Sequence, residues 1–269
     1  QYSKDADKIA KNAAKDSSSD IRVLAASNIE TPEILSDLAK DEDIEIRVLV
    51  ARNKRTPPEA LEFLAKDEHS DVSVRICVAN NSSTHPDTLR FLIKDEDSSV
   101  KISAASNIKT PEILSDLAKD KDRDVRSWAA SNIKNPETLS DLAEDEDASV
   151  RCALASNSNT PPDTLRFLAK DDSEKVKNNV AGNRNTPQDV IQDLAKNGSE
   201  YIKIQIAFNR NTPPDLFEDL AKSDSERIKR VVAFNRSTPP STLRYLANNE
   251  SNVIREKVAK NLNTPPDIL

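Results

Sequence analysis

Residues 150–168 read Val-Arg-Cys-Ala-Leu-Ala-Ser-Asn-Ser-Asn-Thr-Pro-Pro-Asp-Thr-Leu-Arg-Phe-Leu, and this stretch decides the fold because the chain repeats it. Its Asn recurs at Asn28, Asn53, Asn81, Asn107, Asn132, Asn157, Asn183, Asn209, Asn235 and Asn261, at spacings of 25 to 28 residues. Two places before that Asn stands Ala in every copy, from Ala26 to Ala259. Six places before it is always basic: Arg22, Arg47, Arg75, Lys101, Arg126, Arg151, Lys177, Lys203, Lys229 and Arg255. Seven places before it is always Val or Ile. Three places after it stands Thr, replaced once by Asn135, and then Pro, replaced once by His85. Self-similarity at a fixed period of this length is the mark of a stacked array.

Each copy predicts two short helices. One runs from the β-branched residue to the Asn. At about 100° per residue, the β-branched position and the one four later (Val74 and Val78) share a face, and the constant Ala lies beside them, where a neighbouring copy can approach closely. The other helix begins at Thr-Pro. Thr is a favourable N-cap and Pro suits the first helical position. An acid such as Glu59, Asp87, Asp163, Asp189, Asp215 or Asp267 three places on predicts a capping box. Copies 1, 4 and 5 are one residue shorter there and place Glu33, Glu112 and Glu137 one position earlier. The second helix then carries apolar pairs three apart, such as Leu35 with Leu38 and Leu165 with Leu168. Leu64, Leu117, Leu168 and Val180 are expected in the core, and no strand is expected.

One copy buries a handful of aliphatic side chains at about 1.5–3 kcal/mol each. Ordering its residues costs about 1–2 kcal/mol apiece. A single copy therefore cannot fold, and stacked copies can. The expected architecture is all-α: one solenoid over 1–269, with residues 1–20 a partial copy (a helix over 5–15) and 21–269 ten copies, the last truncated at Leu269. Copies 1 and 4 are nearly identical, and copies 3, 6 and 9 share Arg90, Arg166 and Arg244, a pattern of duplication in blocks of three.

The unit Val-Arg-x-x-Val-Ala-x-Asn-x-x-Thr-Pro-x-x-x-Leu-x-x-Leu-Ala-x-Asp resembles the leucine-rich repeat variant family, a HEAT-like class of helical repeats, from Ile21 to Leu269. The resemblance implies a right-handed superhelix in which α-helices alternate with short 3-10 or α segments. A founding member carries a cysteine-bound iron–sulfur cluster ahead of its repeats. Cys77 and Cys152, the only cysteines, fit neither that cluster nor a disulfide framework, so no cofactor is expected.

The composition narrows the function. Two His and two Gly leave little for general-base or phosphate-cradle chemistry, so the chain is not expected to be an enzyme. His69 and His85 are isolated. The loops Asp41-Glu42-Asp43, Asp95-Glu96-Asp97, Asp120-Lys121-Asp122 and Asp145-Glu146-Asp147 lack the glycine and distant Glu of a calcium loop and read as a solvated acidic edge. The basic column is expected to pair with loop acids such as Asp41 and Asp43. The Asn column admits two structural roles, a left-handed residue after a helix or a backbone bond across copies.

The formal charge is −7, which disfavours a nucleic-acid partner. It is uneven: residues 176–269 carry fourteen Lys and Arg against eleven Asp and Glu, while residues 1–175 carry twenty-five against thirty-five. No apolar run is long enough for a membrane span. Scarce cysteine favours a reducing compartment, so a cytoplasmic location is expected, with a removed signal peptide compatible.

Two surfaces stand out as partner sites. Val23, Val48, Ile76 and Ile102, five before the Asn, form an aliphatic ridge continued toward the core edge by Trp128. Arg184, Arg210 and Arg236, one after the Asn, form a ladder beside Phe208 and Phe234, one before it. The expectation is a protein or peptide partner, with two alternatives: a nucleic acid or phosphate chain on the arginine ladder, or a purely structural spacer.

Overall fold

A computed structural model describes residues 9–67 and 70–268. His69, Leu269 and the first half of the expected helix over 5–15 lie outside them; residues 9–13 are helical. Among the described residues there is no strand. The chain forms two compact units, Gln1–Leu114 and Ser115–Leu269.

In the first unit the leading helices of successive repeats, Ser19–Asn28, Ile44–Arg52, Val72–Asn80 and Ser98–Ile108, pack against one another in sequence. The second helices Pro32–Leu38, Pro58–Lys66 and Pro86–Leu92 form a parallel row behind them. The second unit repeats the plan, with leading helices from Arg123–Asn132 to Asn252–Ala259 and second helices from Pro136–Asp141 to Pro240–Ala247. Among the described residues no helix exceeds the eleven residues of Ser98–Ile108. Helices this short are marginal alone, so packing holds them.

The packing uses the expected columns. The residue three before the Asn is buried in every repeat, and the constant Ala is buried in all but the last, Ala259. Leu64, Leu168 and Val180 are fully buried, and Leu117 nearly so. The second elements are α-helical rather than 3-10, except for the turns Leu142–Glu144 and Pro266–Ile268.

One expectation needs correction. In the longer repeats the Thr does not cap the second helix; the N-cap is the following residue, Pro57, His85, Pro161, Pro187, Pro213 or Pro239. The extra residue moves the helix start one place onward. The Thr turns inward and its hydroxyl donates to the carbonyl six residues earlier, Thr56 to Val50 and Thr160 to Leu154 at 2.6 Å each. It thus closes the C-terminus of the leading helix. In the shorter repeats 1 and 5 the N-cap does fall at Thr31 and Asn135.

Candidate functional site

Sorting the polar side chains by what they bind separates framework from surface. The Asn column is framework. Asn183 Nδ2 donates to the carbonyls of Ala155 (2.8 Å) and Asn157 (2.9 Å) in the preceding repeat, and its Oδ1 accepts from the Asn185 amide at 2.9 Å. Asn81, Asn157, Asn209 and Asn261 do the same. No described residue has a positive φ, so the backbone bond across repeats, not the left-handed turn, is the role of the column. Asn28 and Asn132 differ: each donates to its own helix, at Leu24 and Trp128.

The basic column is framework too. Arg126 Nε and Nη2 grip Asp145 at 2.7 and 3.0 Å, while its Nη1 donates to the Asp120 and Lys121 carbonyls. Arg22 holds Asp41, Arg75 holds Asp95 and Arg151 holds Asp171 in the same way. Burial alone would push the Asp145 carboxyl up, but the Arg126 guanidinium and the Asp147 amide outweigh it and hold it below the usual carboxylate range. The last acid of each loop caps a helix: Asp43 accepts from Glu45, Asp97 from Ser99 and Val100, and Asp147 from Ser149. The Ser149 hydroxyl and amide pull the Asp147 carboxyl down to about 2. Only the middle Glu, such as Glu42 at 92% and Glu146 at 90% exposure, is left to solvent. Isolated His85 caps the helix Pro86–Leu92, its Nδ1 accepting from the Asp87 amide.

The same clasps explain the charge asymmetry. Beyond repeat 6 the position of the gripped acid is held by Asn197, Ser223 and Asn249, and the helix caps are Ser173, Ser199, Ser225 and Ser251. The basic partners there are Lys177, Lys203 and Lys229, of which the last two form no ion pair among the described residues.

The expected ridge is half-buried. Val23, Val48 and Ile76 pack against the core of the first unit, and Ile102 is likewise half-buried. Trp128, in the second unit, is half-buried as well. Five places before the Asn is therefore a seam position rather than an outward one, whereas one place before it is exposed in all ten repeats.

That outer row carries Ser, Asn, Arg or Gly as far as Gly182, then Phe208, Phe234 and Lys260. The structure brings Phe208, Arg210, Phe234 and Arg236 together on the wall of one groove of about 820 Å³. Arg184 is exposed one repeat earlier and does not line it. Lys257, Lys260 and Leu262 complete the groove, and the sequence reading missed them. Lys260 and Leu262 stand in the rows already marked by the Phe and Arg residues, so those rows could have been followed one repeat further.

Phe208, Phe234 and Leu262 are 50%, 61% and 78% exposed. Of the other exposed rings, Phe63 lies under Lys40, Phe91 under Lys66 and Tyr201 under Arg227, each about 6 Å from the ring centre, while Phe167 and Tyr245 are also uncovered among the described residues. Among the described residues no cation covers Phe208 or Phe234, and neither Arg210 nor Arg236 has an ion pair. No group of His, Cys, Asp and Glu able to hold a metal occurs among the described residues.

No protein-family model matches the chain, and no curated protein matches it in sequence. Solved structures do. A leucine-rich repeat variant with a novel repetitive structural motif is 22% identical over 82% of this chain and 87% of its own, with a TM-score of 0.58. An engineered protein is 16% identical over 94% of this chain and 97% of its own, with a TM-score of 0.44. The chain has the fold of a leucine-rich repeat variant.

Proposed function

We propose that the chain is a binding scaffold that takes a protein or peptide partner and catalyses no reaction. The observation that carries this reading is the division of labour among its polar residues. The Asn column and Arg22, Arg75, Arg126 and Arg151 spend their hydrogen bonds within the array, whereas Phe208, Arg210, Phe234 and Arg236 in the outer rows are exposed, the rings under no cation and the arginines in no ion pair, among the described residues. Helical arrays use such surfaces for recognition. Two unshielded aromatic rings beside two unpaired guanidiniums match the residue types that dominate protein interfaces. Among the described residues no helix is long and apolar enough to cross a membrane.

The test is capture from a lysate of the source cells with three immobilised chains. Wild type should retain a discrete protein that Phe208→Ser/Phe234→Ser/Arg210→Ser/Arg236→Ser loses about tenfold or more. Val48→Asp/Ile76→Asp probes the ridge as a second contact surface. Because Val48 and Ile76 pack on the core, its circular dichroism and melting must match wild type before a loss of capture counts. Retention abolished by nuclease, with a steep salt dependence, would show a nucleic-acid binder instead. No retained species would leave the array as a structural spacer.

A further inference from the structure

We propose that the groove of repeats eight to ten docks an extended acidic peptide carrying bulky apolar side chains about three residues apart. This rests on the protein-binding reading above.

Charge gives the first half of the chemistry. Arg210, Arg236, Lys257 and Lys260 line the groove, and no Asp or Glu does. Lys260 is bound by Glu256 on its own helix, but Arg210, Arg236 and Lys257 form no ion pair among the described residues. Elsewhere Arg126, Arg151, Arg166 and Arg244 each hold an Asp, while Arg52, Arg184 and Arg230 form no ion pair among the described residues; in the groove two free guanidiniums stand together with a free lysine. Free guanidiniums on a rigid base suit carboxylates, which they grip in pairs.

Shape and apolar surface give the second half. Phe208 and Phe234 occupy the same position on successive repeats, and Leu262 lies beside them in the groove. Packed helices sit about 8–10 Å apart. A chain in the extended polyproline II form advances about 3.1 Å per residue with about three residues per turn, so side chains three apart share one face. Side chains three residues apart on a peptide therefore meet successive rings. Leu262 adds aliphatic surface with no aromatic face for a base to stack on, and a long polyanion would meet the net charge of −7. Both observations favour a peptide over a nucleic acid.

The groove is also held in shape. Its lining includes Asn235 and Asn261, both buried. Asn235 donates to the Ala207 carbonyl at 2.7 Å, and Asn261 to those of Ala233 and Asn235 at 2.8 and 2.9 Å. The Asn235 Oδ1 also accepts from the Ser237 amide, fixing the loop that carries Arg236. A surface already in its binding conformation loses little freedom on association.

The experiment is selection of a phage-displayed library of random 12-mer peptides on the immobilised full chain. The best peptide is then titrated by fluorescence anisotropy alongside labelled (dT)20 and U20. The expected winners carry at least two Asp or Glu and two bulky apolar residues spaced by three. Their affinity should fall at least tenfold with Phe208→Ser/Phe234→Ser, and separately with Arg210→Ser/Arg236→Ser. All four residues are exposed, and matching circular dichroism and melting would confirm folding. Winners that are basic or purely apolar, or that ignore these variants, overturn the proposal while protein binding stands. An oligonucleotide that binds more tightly than every selected peptide, or a selection without winners, overturns both.

Discussion

Arg126→Ala is expected to cost about 3–5 kcal/mol, the usual range when one partner of a buried ion pair is removed. The side chains of Arg126 and Asp145 are only 10% and 7% exposed. Removing the guanidinium strands the carboxylate together with the carbonyls of Asp120 and Lys121. At about 2–4 °C per kcal/mol for a unit of this size, the melting temperature should fall by roughly 10 °C. Arg126→Met with Asp145→Leu should recover most of the loss, because no charge is then left unpaired. The sign with pH follows from the depressed Asp145 carboxyl. A carboxylate held below its unfolded value stabilises the fold fully above that value, about 4, and the contribution fades as pH falls through the folded value. Urea unfolding should therefore show a large gap between wild type and Arg126→Ala at pH 7 and a much smaller one near pH 3. Equal gaps at both would show that the arginine acts by packing alone.

That clasp was half legible. The constant spacing of a basic residue beside a buried stripe pointed to loop acids, and Asp41 is indeed the partner of Arg22. Asp43, also expected as a partner, caps a helix instead. Charge alone cannot separate the two, since adjacent loop acids are chemically alike and only the backbone path tells which faces back. The Thr column misled for a related reason. Thr56 and Thr31 stand in the same pattern, yet Thr31 is the N-cap of its helix and Thr56 closes the helix before it. The extra residue of the longer repeats shifts the boundary by one place, with or without a double proline, and a one-residue shift turns a helical side chain by about 100°. Buried positions were the most legible because periodicity reports them directly. The ridge was the least. The helical period of one repeat puts Val48 and Ile76 off its apolar face, yet both are half-buried against the core of the first unit, and the period of a single unit does not report how far the packed array covers the edge of that face. The groove lay between these cases: its Phe and Arg rows were visible in the sequence, and their convergence with Lys257 and Leu262 was not.

Asn209→Asp is expected to be the most damaging near-isosteric change in the chain, at about 3–5 kcal/mol near neutral pH. Asn209 is 4% exposed, and its amide donates to the carbonyls of Ala181 and Asn183, both at 2.9 Å. A carboxylate there faces two acceptors with nothing to donate, and burial of an unpaired charge drives a carboxyl's pKa strongly upward. Every tenfold weakening of the acid corresponds to about 1.4 kcal/mol. The folded carboxyl then titrates above its unfolded value. The variant is least penalised below about pH 4, where both states are protonated, and its deficit grows as pH rises toward the folded value. Its stability should thus climb relative to wild type on acidification, in the same direction as the Arg126 variant but for a different reason: here the variant's own buried carboxyl is neutralised, whereas there wild type loses a stabilised carboxylate. The Asn211 amide, which now donates to the Asn209 oxygen at 2.9 Å, keeps its acceptor, so the penalty comes from the lost donors. Asn132→Asp supplies the control. Asn132 is half-buried and donates only to Trp128 in its own helix, so the same chemical change should cost about 1 kcal/mol. Urea unfolding of both variants at pH 4 and pH 7 distinguishes a bond that joins repeats from one that merely finishes a helix. Equal losses at the two positions would mean that the column does not stitch the array together.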